Sequence, residues 1–148
     1  MQVNTESQLC TFYLDNQMFG VDVKCVQEVI RYQEMTDVPL APDAVCGLIN
    51  LRGQIVTAID LRKRLGLPAR PQAQLPMNVV VRGEDGAISL LVDQIGDVQE
   101  IEEKYLESPP ETLRGASRTL IKAAYKLKDR LLLILDTEQA MNVSKSEK

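Results

Sequence analysis

Residues 47–62 read GLINLRGQIVTAIDLR. Two apolar runs, Leu48 to Leu51 and Ile55 to Ile59, flank the pair Arg52-Gly53. That pattern predicts a β-hairpin. Its turn needs a residue tolerant of positive φ, and Gly53 supplies it. Arg52 is harder to explain, because many polar residues would serve at an exposed turn tip. The hairpin leads into a short helix from about Leu61 to Leu65, with Asp60 as N-cap and Gly66 just past the end.

Strand signals dominate on both sides of this hairpin. Leu9 to Leu14 is a short apolar run that ends at Asn16-Gln17. Phe19, Val21 and Val23 alternate with Met18, Gly20 and Asp22, the period of a strand. Lys24 to Tyr32 reads as a turn of helix running into a short strand. Thr36 to Asp43 holds Pro39 and Pro42 and reads as an extended loop. Pro68 to Pro76 carries three prolines and reads as a surface linker. Met77 to Val81 and Ala87 to Val92 form a second hairpin around the turn 83–86. Val98 to Ile101 is a further short strand, and Ser108-Pro109-Pro110 ends that section. From Ile121 to Lys128, Ile121, Ala123, Tyr125 and Leu127 alternate with Lys122, Ala124, Lys126 and Lys128, which predicts a strand with one wet face. Leu131 to Leu135 is apolar throughout and predicts a strand buried on both faces. Asp136 with Gln139 resembles a capping box opening a last short helix to about Asn142. No repeat of solenoid length is visible. Nine or ten short strands with a few helical turns describe an all-β protein of small barrels or sandwiches.

Composition narrows the function classes. The chain has 148 residues, 45% hydrophobic and 26% charged, so a packed core is expected and bulk disorder is not. Aromatics are 4% and Trp is absent, so Val, Leu, Ile and Ala must build the core. A net charge of -4 argues against general nucleic-acid binding. Cys10, Cys25 and Cys46 are odd in number and form no CxxC pair. They read as reduced thiols in or near the core. Met1 to Gln8 lacks the basic and apolar regions of a signal peptide. No apolar run approaches the roughly 20 residues needed to span a bilayer. A cytoplasmic protein is expected.

The chemistry of catalysis is sparse. There is no His. That excludes Ser-His-Asp and Cys-His nucleophile activation, His-bearing zinc sites and a phosphoacceptor histidine. No GxxxxGK[ST] or GxGxxG loop occurs. Glu100, Glu102, Glu103, Glu107 and Glu111 cluster in sequence, but without sugar-stacking aromatics they read as a solvated face rather than a glycosidase pair. Arg62-Lys63-Arg64 and the Lys face of the Tyr125 strand read as solvent faces. A binding module fits better than an enzyme.

The hairpin and its flanks carry a resemblance. Val38 to Arg62, VPLAPDAVCGLINLRGQIVTAIDLR, is similar to the signature of the CheW family of bacterial chemotaxis coupling proteins. Gly47, Ile49-Asn50-Leu51-Arg52-Gly53 and Ile59-Asp60-Leu61-Arg62 are its markers. Phe19-Gly20-Val21-Asp22-Val23 with Val26-Gln27-Glu28, Val92 to Val98, and Asp129 to Asp136 resemble further family segments in the same order. The resemblance covers about residues 8–142. It implies an all-β, CheW-like domain of two packed five-stranded SH3-like β-barrels with short helices. Subdomain 1 would comprise about 8–30 plus 121–148, and subdomain 2 about 31–120, with flexible termini at 1–7 and 143–148.

The resemblance also implies the function. The chain would be a non-enzymatic scaffold without cofactor or metal. It would couple chemoreceptors (methyl-accepting chemotaxis proteins) to the histidine kinase CheA. Its partners would be the CheW-like regulatory domain of CheA, the cytoplasmic hairpin tip of receptors, and other CheW-like proteins in arrays. It would work in the cytoplasm, recruited to membrane-associated receptor arrays. The alternative is a CheW-like adaptor in another array, serving motility, development or polar localisation. Carried over by position, the receptor groove implicates Val26 and Glu28, then Gly47, Asn50 and Arg52, with Ile95 and Val98 on the opposite wall. No kinase-binding residue is assigned. Taken alone, Val26, Ile95 and Val98 read as core, Arg52 as a solvated turn residue and Glu28 as a surface carboxylate. One departure is Thr57, where the family commonly has Pro. It restores an N–H to the ladder and puts the edge exposure of that strand in question.

Overall fold

The computed structural model describes residues 6–142 apart from residues 85 and 114. Among these residues ten strands form two five-stranded sheets. They are β1 (Glu6–Leu14), β2 (Gln17–Asp22), β3 (Val26–Ile30), β4 (Val45–Leu51), β5 (Gln54–Asp60), β6 (Met77–Gly83), β7 (Gly86–Val92), β8 (Gln94–Glu102), β9 (Ile121–Lys126) and β10 (Leu131–Leu135). Short helices α1 (Leu61–Leu65), α2 (Ala116–Leu120) and α3 (Thr137–Met141) interrupt them. The first sheet runs β8-β1-β2-β10-β9 and the second β3-β6-β7-β5-β4. Both are mixed, because β2 runs parallel to β10 and β5 parallel to β7.

The expected SH3-like barrels do not form. Neither β8 with β9 nor β3 with β4 is paired, so both sheets stay open. Among the described residues only isolated bridges reach across: Glu107↔Ala124 in the first sheet and Thr36↔Leu48 in the second. The segments that would have to close each ladder run through Pro39 and Pro42, and through Pro109 and Pro110. Proline has no N–H to give a ladder.

Sheet membership also divides the chain differently from 8–30 with 121–148 and 31–120. β3 belongs with 45–92, and β8 belongs with β1. Each sheet therefore takes its end strand from the other half of the chain. The two crossings are written alike in the sequence. Val21-Asp22 precedes Val26-Gln27-Glu28, and Val92-Asp93 precedes Val98-Gln99-Glu100. The crossing from β2 to β3 uses a 3-10 turn, Val23–Cys25, which Asp22 caps by accepting from Lys24 N–H at 2.8 Å. The crossing from β7 to β8 uses one residue, Asp93.

The core explains why several strands are apolar on both faces. One cluster joins the sheets, with Phe12, Leu14, Phe19 and Val21 from the first packed with Ile59, Val79, Val81, Leu90 and Val92 of the second. Leu61, Leu65, Leu120 and Ala140 close it from the helices. Each sheet also has a private cluster, around Leu9, Met18, Leu132 and Ile134 in the first and around Ile49, Leu51, Val56 and Val80 in the second. Val79 and Val80 thus face different cores, and so do Leu132 and Leu133.

The expected wet face of β9 is corrected by the same arrangement. A register shift opposite Ile134 and Leu135 moves Ile121 and Ala124 together into the shared cluster. Ala123 and Tyr125 turn to the private one, and only Lys122 and Lys126 are exposed. A bulge inverts side-chain parity, which simple alternation in the sequence cannot show. The termini are corrected in part, since Glu6 and Ser7 pair with Glu102 and Ile101 inside β1 and β8. Residues 1–5 and 143–148 lie outside the described residues, as does Asp85 of the 83–86 turn.

Phe12 and Phe19 face each other across β1 and β2 with ring centroids 6.1 Å apart. Phe12→Ala should lower unfolding free energy by about 3–5 kcal/mol. Urea denaturation should show one transition moved as a whole. Two transitions, only one of them moved, would show that the sheets fold independently.

Candidate functional site

The β4–β5 hairpin turns through Arg52 at φ 53° and Gly53 at φ 90°. Positive φ at both central residues is the pattern of a type I′ turn, which matches the twist of the strands it joins. Gly53 accepts this conformation freely, whereas an L-residue such as Arg52 is held there at a cost of about 1–2 kcal/mol. Asn50 stabilises the turn, its Oδ1 accepting from Gly53 N–H at 2.9 Å. Arg52 Nη2 donates to Glu28 Oε2 on β3, at the opposite end of the same sheet. The Arg52 side chain is 72% exposed and the Glu28 side chain 19%. The hydrogen bond from Arg52 holds the Glu28 carboxyl below the usual carboxylate range, and Glu28 in turn raises Arg52. Both stay ionised at neutral pH.

The other implicated residues sit around this pair in different ways. Gly47 is buried against the incoming loop, where a Cβ would lie 2.7 Å from Thr36 O. Its role is close backbone approach. Val26 and Ile95 are half-buried against the shared core, one from each sheet. Val98 is 54% exposed on β8. The structure thus joins Glu28, Asn50, Arg52 and Gly53 directly, and it leaves Ile95 and Val98 on the other sheet. Thr57 lies in an interior strand, paired to Leu48 on one side and Ile88 on the other, so no edge is exposed there.

A buried ionic cluster escaped the sequence reading. Arg62 is 6% exposed, not a solvent-facing base. Its Nε and Nη2 donate to Asp93 Oδ1 and Oδ2 at 3.0 and 2.5 Å. Its Nη1 donates to Pro68 O and Ala69 O at 2.8 and 3.3 Å. Arg70 Nε donates to Asp93 Oδ1 at 2.9 Å and lies 3.7 Å from Asp60 Oδ1. The segment 68–76 is therefore clamped by guanidinium groups rather than being a free surface linker. Arg64 is also engaged, donating to Gln139 O and Ala140 O in α3. Lys63 alone of the three bases keeps an exposed side chain, near Asp43 at 3.6 Å. The available signal was a lone charge beside buried apolar runs, Leu61-Arg62 and Val92-Asp93.

Among the described residues no three His, Cys, Asp or Glu side chains are placed to hold a metal. Cys10, Cys25 and Cys46 are free and half-buried, and burial pushes the Cys10 and Cys46 thiols up.

Comparison with known proteins decides the family. The family model described as "CheW-like domain" matches residues 8–145. The chain belongs to the CheW family. It is 29% identical to the chemotaxis protein CheW of Bacillus subtilis, over 99% of this chain and 94% of that one. It is 30% identical to CheW of Thermotoga maritima, over 90% of this chain and 87% of that one. A crystal structure of the scaffolding protein TtCheW from Thermoanaerobacter tengcongensis superposes with a TM-score of 0.84 at 27% identity, covering 96% and 97% of the two chains. This CheW-family chain is a non-enzymatic adaptor that couples chemoreceptors to the kinase CheA.

Asp93 gives the site a pH signature. Burial would raise its carboxyl, but Arg62, the Asp15 N–H and Arg70 outweigh burial and hold it at about 2, against 3.8 for a free side chain. Because the folded value is the lower one, the stabilisation is complete above pH 3.8 and is lost as pH falls toward 2. Asp93→Asn should therefore narrow its stability gap to the parent by about 2 kcal/mol between pH 6 and pH 2. Urea midpoints at both pH values measure it. A constant gap would contradict the ionised, paired state of Asp93.

Proposed function

We propose that the β4–β5 hairpin, with Arg52 at its tip steadied by Glu28, is the contact for the cytoplasmic hairpin tip of a chemoreceptor. The observation that carries this reading is a largely exposed guanidinium held in place from two directions. The turn fixes its backbone at positive φ, and Glu28 fixes its head. Among the described contacts Glu28 engages only Nη2, so the remaining N–H groups of the fork stay available for carboxylates or carbonyls of a partner. Ile55, 61% exposed beside the tip, and Val98, 54% exposed on β8, offer apolar surface to a helical partner. Val26 and Ile95 extend that surface inward, and Gly47 and Asn50 keep the hairpin in shape.

In this reading residues 8–142 act as one CheW-like domain. The regulatory domain of CheA binds a different surface, and other CheW-like proteins add contacts within an array. The adaptor works in the cytoplasm, beside membrane-embedded receptors. Phosphotransfer belongs to the kinase, which agrees with a chain that has no His.

Arg52→Ala should weaken co-sedimentation with receptor-bearing membranes by about tenfold. Binding to the isolated CheA regulatory domain should be unchanged. Undiminished receptor binding by a folded Arg52→Ala protein would remove Arg52 from the contact.

A further inference from the structure

We infer that Asp93 and Arg62 lock the joint between the two sheets, and so act as positioning residues that fix how far the β8 wall stands from the β4–β5 hairpin. Asp93 is the only residue between β7 of the second sheet and β8 of the first. A one-residue joint has two soft dihedrals and would pivot if left free. Anchors from both sheets meet on it. From the first sheet, Tyr13 O accepts from Asp93 N–H at 3.0 Å. The Asp15 N–H, in the β1–β2 turn, donates to Asp93 Oδ2 at 2.9 Å. From the second sheet, Arg62 grips both carboxylate oxygens from α1, which follows β5 directly. Asp60, at the end of β5, holds the Arg62 N–H at 3.0 Å.

Among the described residues the equivalent joint after β2 has no carboxylate–guanidinium fork: Asp22 caps the 3-10 turn, and Arg82 of β6 donates to Lys24 O at 3.0 Å. The pinned one carries Ile95 and Val98, two and five residues beyond Asp93. The β5–α1 segment that holds Arg62 is continuous with the hairpin bearing Arg52. The Arg62–Asp93 fork thus joins the two segments that carry the walls. Arg70 is the looser member. Its Nε donates to Asp93 Oδ1, while its buried Nη2 makes no hydrogen bond and only lies 3.7 Å from Asp60 Oδ1, so its hold on the joint is weaker than the two-bond fork of Arg62.

The inference rests on the hairpin contact only for its consequence in binding. Its direct test is the distance between sheets in the folded protein. Ketone-bearing residues replacing the exposed Ile55 and Glu100 accept spin labels and leave the three cysteines untouched. Double electron–electron resonance should give one narrow distance in the parent. Asp93→Asn and Arg62→Lys should broaden or shift it, and Arg70→Ala should leave it narrow. Receptor co-sedimentation by the folded Arg62→Lys protein should weaken about tenfold. Arg62→Lys keeps the charge and loses the fork, so it serves if Asp93→Asn folds poorly. An unchanged distance in Arg62→Lys would overturn the lock. So would full receptor binding by Arg62→Lys where Arg52→Ala binds weakly. A parent protein that ignores receptors would sink the hairpin contact instead, and the distances would still decide the lock.

Discussion

The bidentate grip of Arg62 on Asp93 is the constraint from which we propose the two sheets take their mutual placement. Each sheet borrows its end strand from the other half of the chain, so neither half can be placed without the other. At the β7–β8 crossing there is no loop to absorb error. The partners of Asp93 outweigh the cost of burying it, although apolar packing of the same volume can stabilise a core as well as a buried ion pair does. What it supplies is direction. Two parallel N–H···O bonds fix a plane, and apolar packing of the same volume does not.

Around that joint, packing does the general work. Val79, Leu90, Leu132 and their neighbours stand in strands that separate a shared core from private ones. This arrangement lets a chain with 4% aromatics bury enough surface. It also leaves polar chemistry to the ends of the sheets. There the β4–β5 hairpin presents Arg52 to solvent, with Glu28 as its brace. The recognition surface we propose is thus small and local, and its two walls belong to different sheets. Its shape is a property of the whole fold.

Much of this was legible in the residues. Strand positions followed from alternation and apolar runs, and Asp60, Gly66 and Asp136 marked helix ends where the structure places them. Arg52 stood out because a turn tip did not need it. The barrel expectation failed because pairing at sheet ends is long-range, and prolines in the closing segments act on a ladder the sequence does not display. The strand exchange was not legible for a related reason. Val21-Asp22 and Val92-Asp93 sit in matching segments, but nothing local says that each crosses to the opposite sheet. Arg62 was misread because Arg62-Lys63-Arg64 looks like one basic run. A five-residue helix sends those three side chains to three places: the joint, the solvent and the end of α3.

The adaptor role is tested most directly by reconstitution of kinase activation. Receptor-bearing membranes, CheA and ATP are combined with and without this chain, and phosphorylation of CheA is followed. The expected result is strong stimulation only when all three proteins are present, with no phosphotransfer by this chain itself. Equal kinase activity with and without it, under conditions where both partners are bound, would contradict the coupling role.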